Sequence, residues 1–323
     1  MTRFRSLEEG FAPETGDVVE DTSSGANARV AAAVATYKEI FLPYPRHVTF
    51  HSDCDYLRQL GLATKGCPQS GLRVLAPSGS GKSTAARMFI ALLETRERSD
   101  PDVKPVVMVS LTSAATPKKL FSDILTEMGD GFADRGTEQT LRRRVIACFE
   151  HFQTQLLIID EVQHLNFRSS AKNDVTDALK SLLDTGVVPI VFLGTEDAEA
   201  MFKRNLQLNG RLLPPCDFKP LRATVAEDAE LFSGFWQRLD AEVVKRGLMR
   251  SASGLDGAEF LGALHKVTGG VVGTVSRLAK EAMTIAIRRS AERIELYDFV
   301  LATDRWAIPN SFCSTNPFRS LLR

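Results

Sequence analysis

The stretch Ala76-Pro77-Ser78-Gly79-Ser80-Gly81-Lys82-Ser83-Thr84 constrains this chain more than any other. It follows a short apolar run, Leu72-Arg73-Val74-Leu75, that reads as a buried strand, and it precedes the helical pattern of residues 85–93. Strand, glycine-rich loop and helix in that order are the setting of a phosphate-binding P-loop. Glycine lets the backbone curl so that successive N–H groups point at one anion. The helix N-terminus adds its partial positive charge behind them. On that reading residues Pro77 to Thr84 would cradle the phosphates of a nucleotide, ATP, Lys82 would reach the β- and γ-phosphates, and the Ser83 hydroxyl would ligate Mg²⁺. The strict pattern begins with Gly where this chain has Ala76, and only the turn entering the loop depends on that position.

A second motif lies downstream. Gln155-Leu156-Leu157-Ile158-Ile159-Asp160-Glu161 puts four apolar residues before two acids, as in a central parallel strand covered on both faces. Ligands of open α/β sheets bind at the carboxyl ends of the strands. Asp160 is therefore the candidate for the Mg²⁺ shell and Glu161 for the group that polarises the attacking water. An apolar run ending in Asp-Glu says little alone. Behind a P-loop and before Val162-Gln163-His164-Leu165 it says much more.

The flanks alternate between strand and helix. Val106 to Val109 reads as a second buried strand, and Thr116-Pro117 as an N-cap with Pro in the first turn. Residues 187–195 form a fourth strand with Thr195 just past its end. Thr195 either touches the γ-phosphate or the lytic water, or caps the helix over residues 196–204. A fifth short strand is expected near 216–221. Upstream, Ala26 to Glu39 looks helical and is stopped by Pro43 and Pro45, and His51 to Leu62 suits a second helix.

From Thr224 onward only helical patterns occur, beginning with the capping-box sequence Thr224-Val225-Ala226-Glu227. The expected domains are a polar, flexible arm over 1–25, an α/β nucleotide-binding domain over 26–222, a helical lid over 223–305 and an irregular tail over 306–323. The run Arg142-Arg143-Arg144 lies mostly off the apolar face of its helix, which makes it a solvated surface or a DNA contact.

With 323 residues, 44% hydrophobic and 25% charged, the chain suits one large domain plus a smaller one. Zero net charge gives no global argument for nucleic acid or membrane, so any DNA contact is local. Five cysteines scattered singly argue against a disulfide framework or zinc site and suit a reducing cytoplasm. No apolar run approaches membrane-spanning length.

A five-strand parallel α/β core with these motifs and a small all-helical lid resembles the AAA+ ATPases. Within them, Pro43-Tyr44-Pro45-Arg46, the run Leu-Ile-Ile-Asp-Glu-Val-Gln-His, the run Val-Pro-Ile-Val-Phe-Leu-Gly-Thr, and Asn316-Pro317-Phe318 carry a closer resemblance. By their order and spacing the chain is most similar to the TniB family of transposition proteins, related to TnsC and more loosely to MuB. The resemblance implies an ATP-bound ring or filament that coats double-stranded DNA, recruits a transposase and is disassembled by hydrolysis. It also implies an arginine that completes the neighbouring protomer's site, with Arg211 first and Arg204 second, and a lid arginine, Arg277. Lys118 and Lys119 match the place where relatives put pore-facing DNA contacts, although a plain helix surface explains them as well.

Two further function classes compete. One is a nucleotide-gated protein-interaction switch with no DNA contact. The other, a small-molecule P-loop kinase, fares worst, because no separate acceptor-binding segment is apparent.

Overall fold

The computed structural model describes residues 22–96, 100, 102–112, 116–165 and 175–322. Most of the expected N-terminal arm lies outside them. Parallel strands β1 (Gly71–Leu75), β2 (Val106–Ser110), β3 (Leu156–Asp160) and β4 (Ile190–Gly194) form a sheet in the order β1-β4-β3-β2. Every residue of β3 and β4 is buried, as strands covered by helices on both faces require.

Helix α1 (Thr22–Lys38) opens the described chain, and the helices around the sheet are α2 (Pro45–Ala63), α3 (Lys82–Arg96), α4 (Pro117–Glu127), α5 (Glu138–His151), α6 (Val175–Asp184), α7 (Glu199–Arg204) and α8 (Leu206–Asn209). Side-chain alternation along the strands splits the core in two. Leu157, Ile159 and Phe192 face the layer containing α4, α5 and α6. Leu156, Ile158, Val191 and Leu193 face Phe50 and Leu57 of α2 and Phe89 of α3.

Three local expectations need correcting. The sheet has four strands among the described residues rather than five. The chain after α8 does run beside β1: the Gly71 amide donates to Arg211 O (2.9 Å), Leu213 N to Gly71 O (2.8 Å) and Cys216 N to Arg73 O (3.1 Å). Pro214 and Pro215 bring no N–H to a ladder, and the Asp217 carboxylate, rather than a backbone carbonyl, takes the Leu75 amide at 2.9 Å. Pro45 does not merely stop a helix; it occupies the first position of α2, where a missing N–H costs nothing. At the start of the lid, Val225 rather than Thr224 is the N-cap residue and makes no side-chain cap.

The lid consists of α9 (Ala226–Lys245), α10 (Ala258–Thr268), α11 (Val272–Arg288) and α12 (Leu296–Ala302) around Trp236, Phe260, Leu278 and Phe299. Helix α1 packs on it, the Tyr37 hydroxyl donating to Ser276 O of α11 at 2.8 Å. The C-terminal segment folds back as well. Phe318 is fully buried 5.4 Å from Phe260 and 5.5 Å from Phe299, which contributes about 1.5–3 kcal/mol. Asn316 Nδ2 donates to Val300 O (2.9 Å) and to Asp304 Oδ1 (2.8 Å). Asn316-Pro317-Phe318 thus docks on the protein's own lid.

Candidate active site

The loop between β1 and α3 owes its shape to two glycines with left-handed backbone, Gly79 (φ 80°) and Gly81 (φ 92°). Its first residue, Ala76, is buried and donates its amide to Gly194 O at 3.1 Å, so the loop entry is tied to the end of β4. Lys82 opens α3 with only 7% of its surface exposed, and its Nζ donates to Ala76 O (2.8 Å) and Pro77 O (3.2 Å). Burial lowers its pKa, while the negative charges of Asp160, Glu161 and Glu196 work against that shift.

Asp160 ends β3 in register with Ser110 of β2, and it is buried. Burial raises its pKa; a hydrogen bond with the Ser83 side chain and one from the Glu161 amide (2.9 Å) oppose this. Ser83 and Asp160, read as metal ligands from opposite ends of the sequence motif set, are therefore neighbours. A hydroxyl and a carboxylate are hard oxygen donors that suit Mg²⁺, which completes its shell with water and phosphate oxygens. Glu161 leaves the strand in a left-handed conformation (φ 61°, ψ 40°), rare for a residue with a side chain and typical of functional turns.

Asp160, Glu161, Thr195, Ser83, Lys82 and Arg277 all line one cleft of about 540 Å³ between the loop and the lid. Thr195 occupies the N-cap position of a short turn over 196–198, yet its side chain caps no backbone amide. Its hydroxyl donates to Asp197 Oδ2 at 3.0 Å and its amide to Gln163 Oε1 at 3.0 Å. From the lid, the Arg277 guanidinium lies against the loop: a Cβ built on Gly79 would be 3.2 Å from its Nη1.

The other cations behave differently. Arg211 lies outside the cleft lining and is ion-paired with Asp184 at 2.5 Å. Arg204, at the end of α7, is exposed and has no ion pair among the described residues, and the neighbouring Leu206 is 75% exposed. Lys118 is exposed, and Lys119 pairs with Asp123 one helical turn on. Within the arginine run, Arg142 turns inward and donates to Ser181 O (3.2 Å), while Arg144 holds Asp130 and the carbonyls of Phe132 and Arg135. Only Arg143 of the three is exposed.

The sequence reading missed the cleft wall made by the α1–α2 connection. Phe41, Leu42 and His47 line it, with His47 stacked on Phe41 (5.3 Å) and edge-on to Tyr44 (4.4 Å). Among the described residues, neither ring nitrogen of the buried His47 makes a hydrogen bond of normal geometry. The signal was available: aromatic rings recur every third residue at Phe41, Tyr44, His47 and Phe50.

A parallel sheet with a P-loop after its edge strand, paired acids ending an inner strand and a helical lid against the loop defines a P-loop ATPase of the AAA+ class. The family model described as bacterial TniB protein matches residues 40–216, more than half of the chain. The chain belongs to the TniB family and is a transposition-related, ATP-hydrolysing enzyme. No curated protein matches it.

Solved structures share the fold at low identity. Cdc6p from Pyrobaculum aerophilum is 13% identical over 84% of this chain and 70% of its own, with a TM-score of 0.59. The Aeropyrum pernix ORC2 protein in its ADPNP–ADP complexes is 12% identical over 84% and 71%, with a TM-score of 0.57. Drosophila ORC bound to DNA is 13% identical over 93% and 70%, with a TM-score of 0.56.

Proposed function

We propose that this protein assembles on duplex DNA in its ATP-bound state, recruits a transposase to that DNA, and leaves it on hydrolysis. The observation that carries the reading is the cleft itself, where P-loop, paired acids and lid arginine meet in a TniB-family chain. The DNA-bound state of Drosophila ORC, whose fold is shared, adds support. Lys82 and the loop amides would hold the triphosphate, and Ser83 and Asp160 would hold Mg²⁺, which lowers the charge on the phosphates when bound. Glu161 would take a proton from the attacking water. Thr195 and Arg277 would face the terminal phosphate from β4 and from the lid.

A neighbouring protomer would supply the last cation. Arg211 must leave Asp184 to serve, whereas Arg204 is exposed without an ion pair among the described residues, so Arg204 becomes the first choice. Phosphate contacts of this kind are salt-sensitive and blind to sequence. Lys118 and Arg143 are the exposed candidates for them, with Lys119 shared between DNA and Asp123.

The inward use of Arg142 and Arg144 favours a second reading, a nucleotide-gated protein switch without DNA contact. Retention on random-sequence duplex DNA separates the two. At moderate salt, a slowly hydrolysed ATP analogue is expected to bring retention and ADP to abolish it. No retention with the analogue at low salt removes the DNA reading.

A further inference from the structure

Glu161 and Thr195 immediately follow different strands, β3 and β4, and one side chain outside the cleft lining joins them. The Thr195 amide donates to Gln163 Oε1 at 3.0 Å, and Gln163 Nε2 donates to Glu161 Oε2. The backbone N–H can only donate, so the carbonyl end of the Gln163 amide must face Thr195 and the NH₂ end must face the carboxylate. Space for this contact is made at Gly194, where a Cβ would lie 2.6 Å from Val162 Cγ2 and 3.0 Å from Gln163 Oε1. Left-handed backbone at Glu161 and the bond from its amide to Asp160 aim its side chain into the same corner.

We infer that Gln163 is a positioning residue for hydrolysis. It fixes the Glu161 carboxylate relative to the Thr195 turn, leaving Oε1 for the water proton. Neither a carboxylate nor an apolar side chain can do this. Glu at 163 would set two acids against each other, and an apolar residue would free both partners. The role rests on Glu161 acting as the base, as proposed above.

The test measures steady-state ATP turnover and analogue affinity in the full-length protein with duplex DNA present. Gln163→Ala, and the equal-volume Gln163→Glu, are expected to lower kcat roughly ten- to hundredfold, the scale of a misplaced reacting group. Analogue affinity should stay within about twofold, because Gln163 touches no phosphate site. In a Glu161→Gln background the same changes should cost less than about twofold further, since the group they position is gone. Normal turnover in Gln163→Glu overturns the inference, as does an undiminished loss in the Glu161→Gln background. If Glu161→Gln itself turns over normally, the base assignment falls and takes the inference with it. A stalled Glu161→Gln beside unaffected Gln163 variants sinks the inference alone.

Discussion

A Cβ placed on Gly273 would lie 1.8 Å from the carbonyl oxygen of Gly79, so lid helix α11 meets the P-loop backbone to backbone. Gly273 sits in the first turn of α11 and Lys82 opens α3, so two helix N-termini border the cleft and both favour negative charge there. Gly273→Ala must push α11 away and carry Arg277 with it. The expected result is a roughly tenfold or greater loss of ATP-analogue affinity, with a thermal midpoint close to that of the parent because the lid core is untouched. Titration calorimetry and a melting curve check this. Unchanged affinity would show that the lid contact is incidental.

Lys82 and Glu161 should fail differently. Lys82→Ala removes the cation nearest the loop, and nucleotide binding is expected to be lost. Glu161→Gln can still accept the Gln163 hydrogen bond, so the corner keeps its geometry while the base is gone. Binding is expected to persist with turnover lowered by roughly 10²–10⁴-fold, and any assembly on DNA to become long-lived. Equal defects in binding for the two variants would contradict this division of labour.

The arginine that acts across an interface can be identified by complementation. Arg204→Ala is expected to abolish turnover of the assembled protein without affecting analogue affinity. Mixed with Lys82→Ala protomers, it should regain part of that turnover, since intact sites then meet intact arginines. Arg211→Ala, which breaks a half-exposed pair with Asp184, should cost stability of the order of 0–1 kcal/mol and leave most of the turnover. A dead Arg211→Ala that is rescued in the mixture, beside an active Arg204→Ala, would reverse the assignment.

How much of this was legible beforehand depends on the range of the interaction. The P-loop and the acids at the end of β3 are local patterns whose chemistry forces residue type, so the sequence locates both motifs. The edge beside β1 is not legible in the same way, because Pro214 and Pro215 interrupt the ladder and the Asp217 carboxylate takes the Leu75 amide, neither of which apolar patterning encodes. The fates of Arg142 and Arg144 depended on acceptors at Ser181, Phe132 and Arg135, residues 9 to 39 positions away, and no helical period reports such partners. Gln163 lies inside the run that follows the paired acids, and its bond to Thr195 spans 32 residues, so no local pattern reports it.

His47 makes the cleft wall sensitive to acid. Burial, with help from the nearby His51, pushes its pKa down from 6.5 to about 4; weak polar contact with the backbone of Leu42 and Ser80 opposes the shift. The folded protein therefore keeps the ring neutral, while the unfolded chain takes up a proton as pH falls below 6.5. The sign is fixed: this residue's contribution is intact above pH 6.5 and is lost as pH drops toward 4. Between pH 7 and pH 5 the loss is about 2 kcal/mol. His51 shifts in the same direction, whereas burial raises the pKa of Asp160 and Asp240, which pull the other way. Comparison with a variant is therefore needed. His47→Phe fits a cluster that already holds Phe41, Tyr44 and Phe218, and it cannot titrate. Urea unfolding of both proteins at pH 7 and pH 5 should show the parent losing about 2 kcal/mol more than the variant. Equal losses in the two proteins would mean that the ring is protonated within the fold and that the wall beside Gly81 carries a charge.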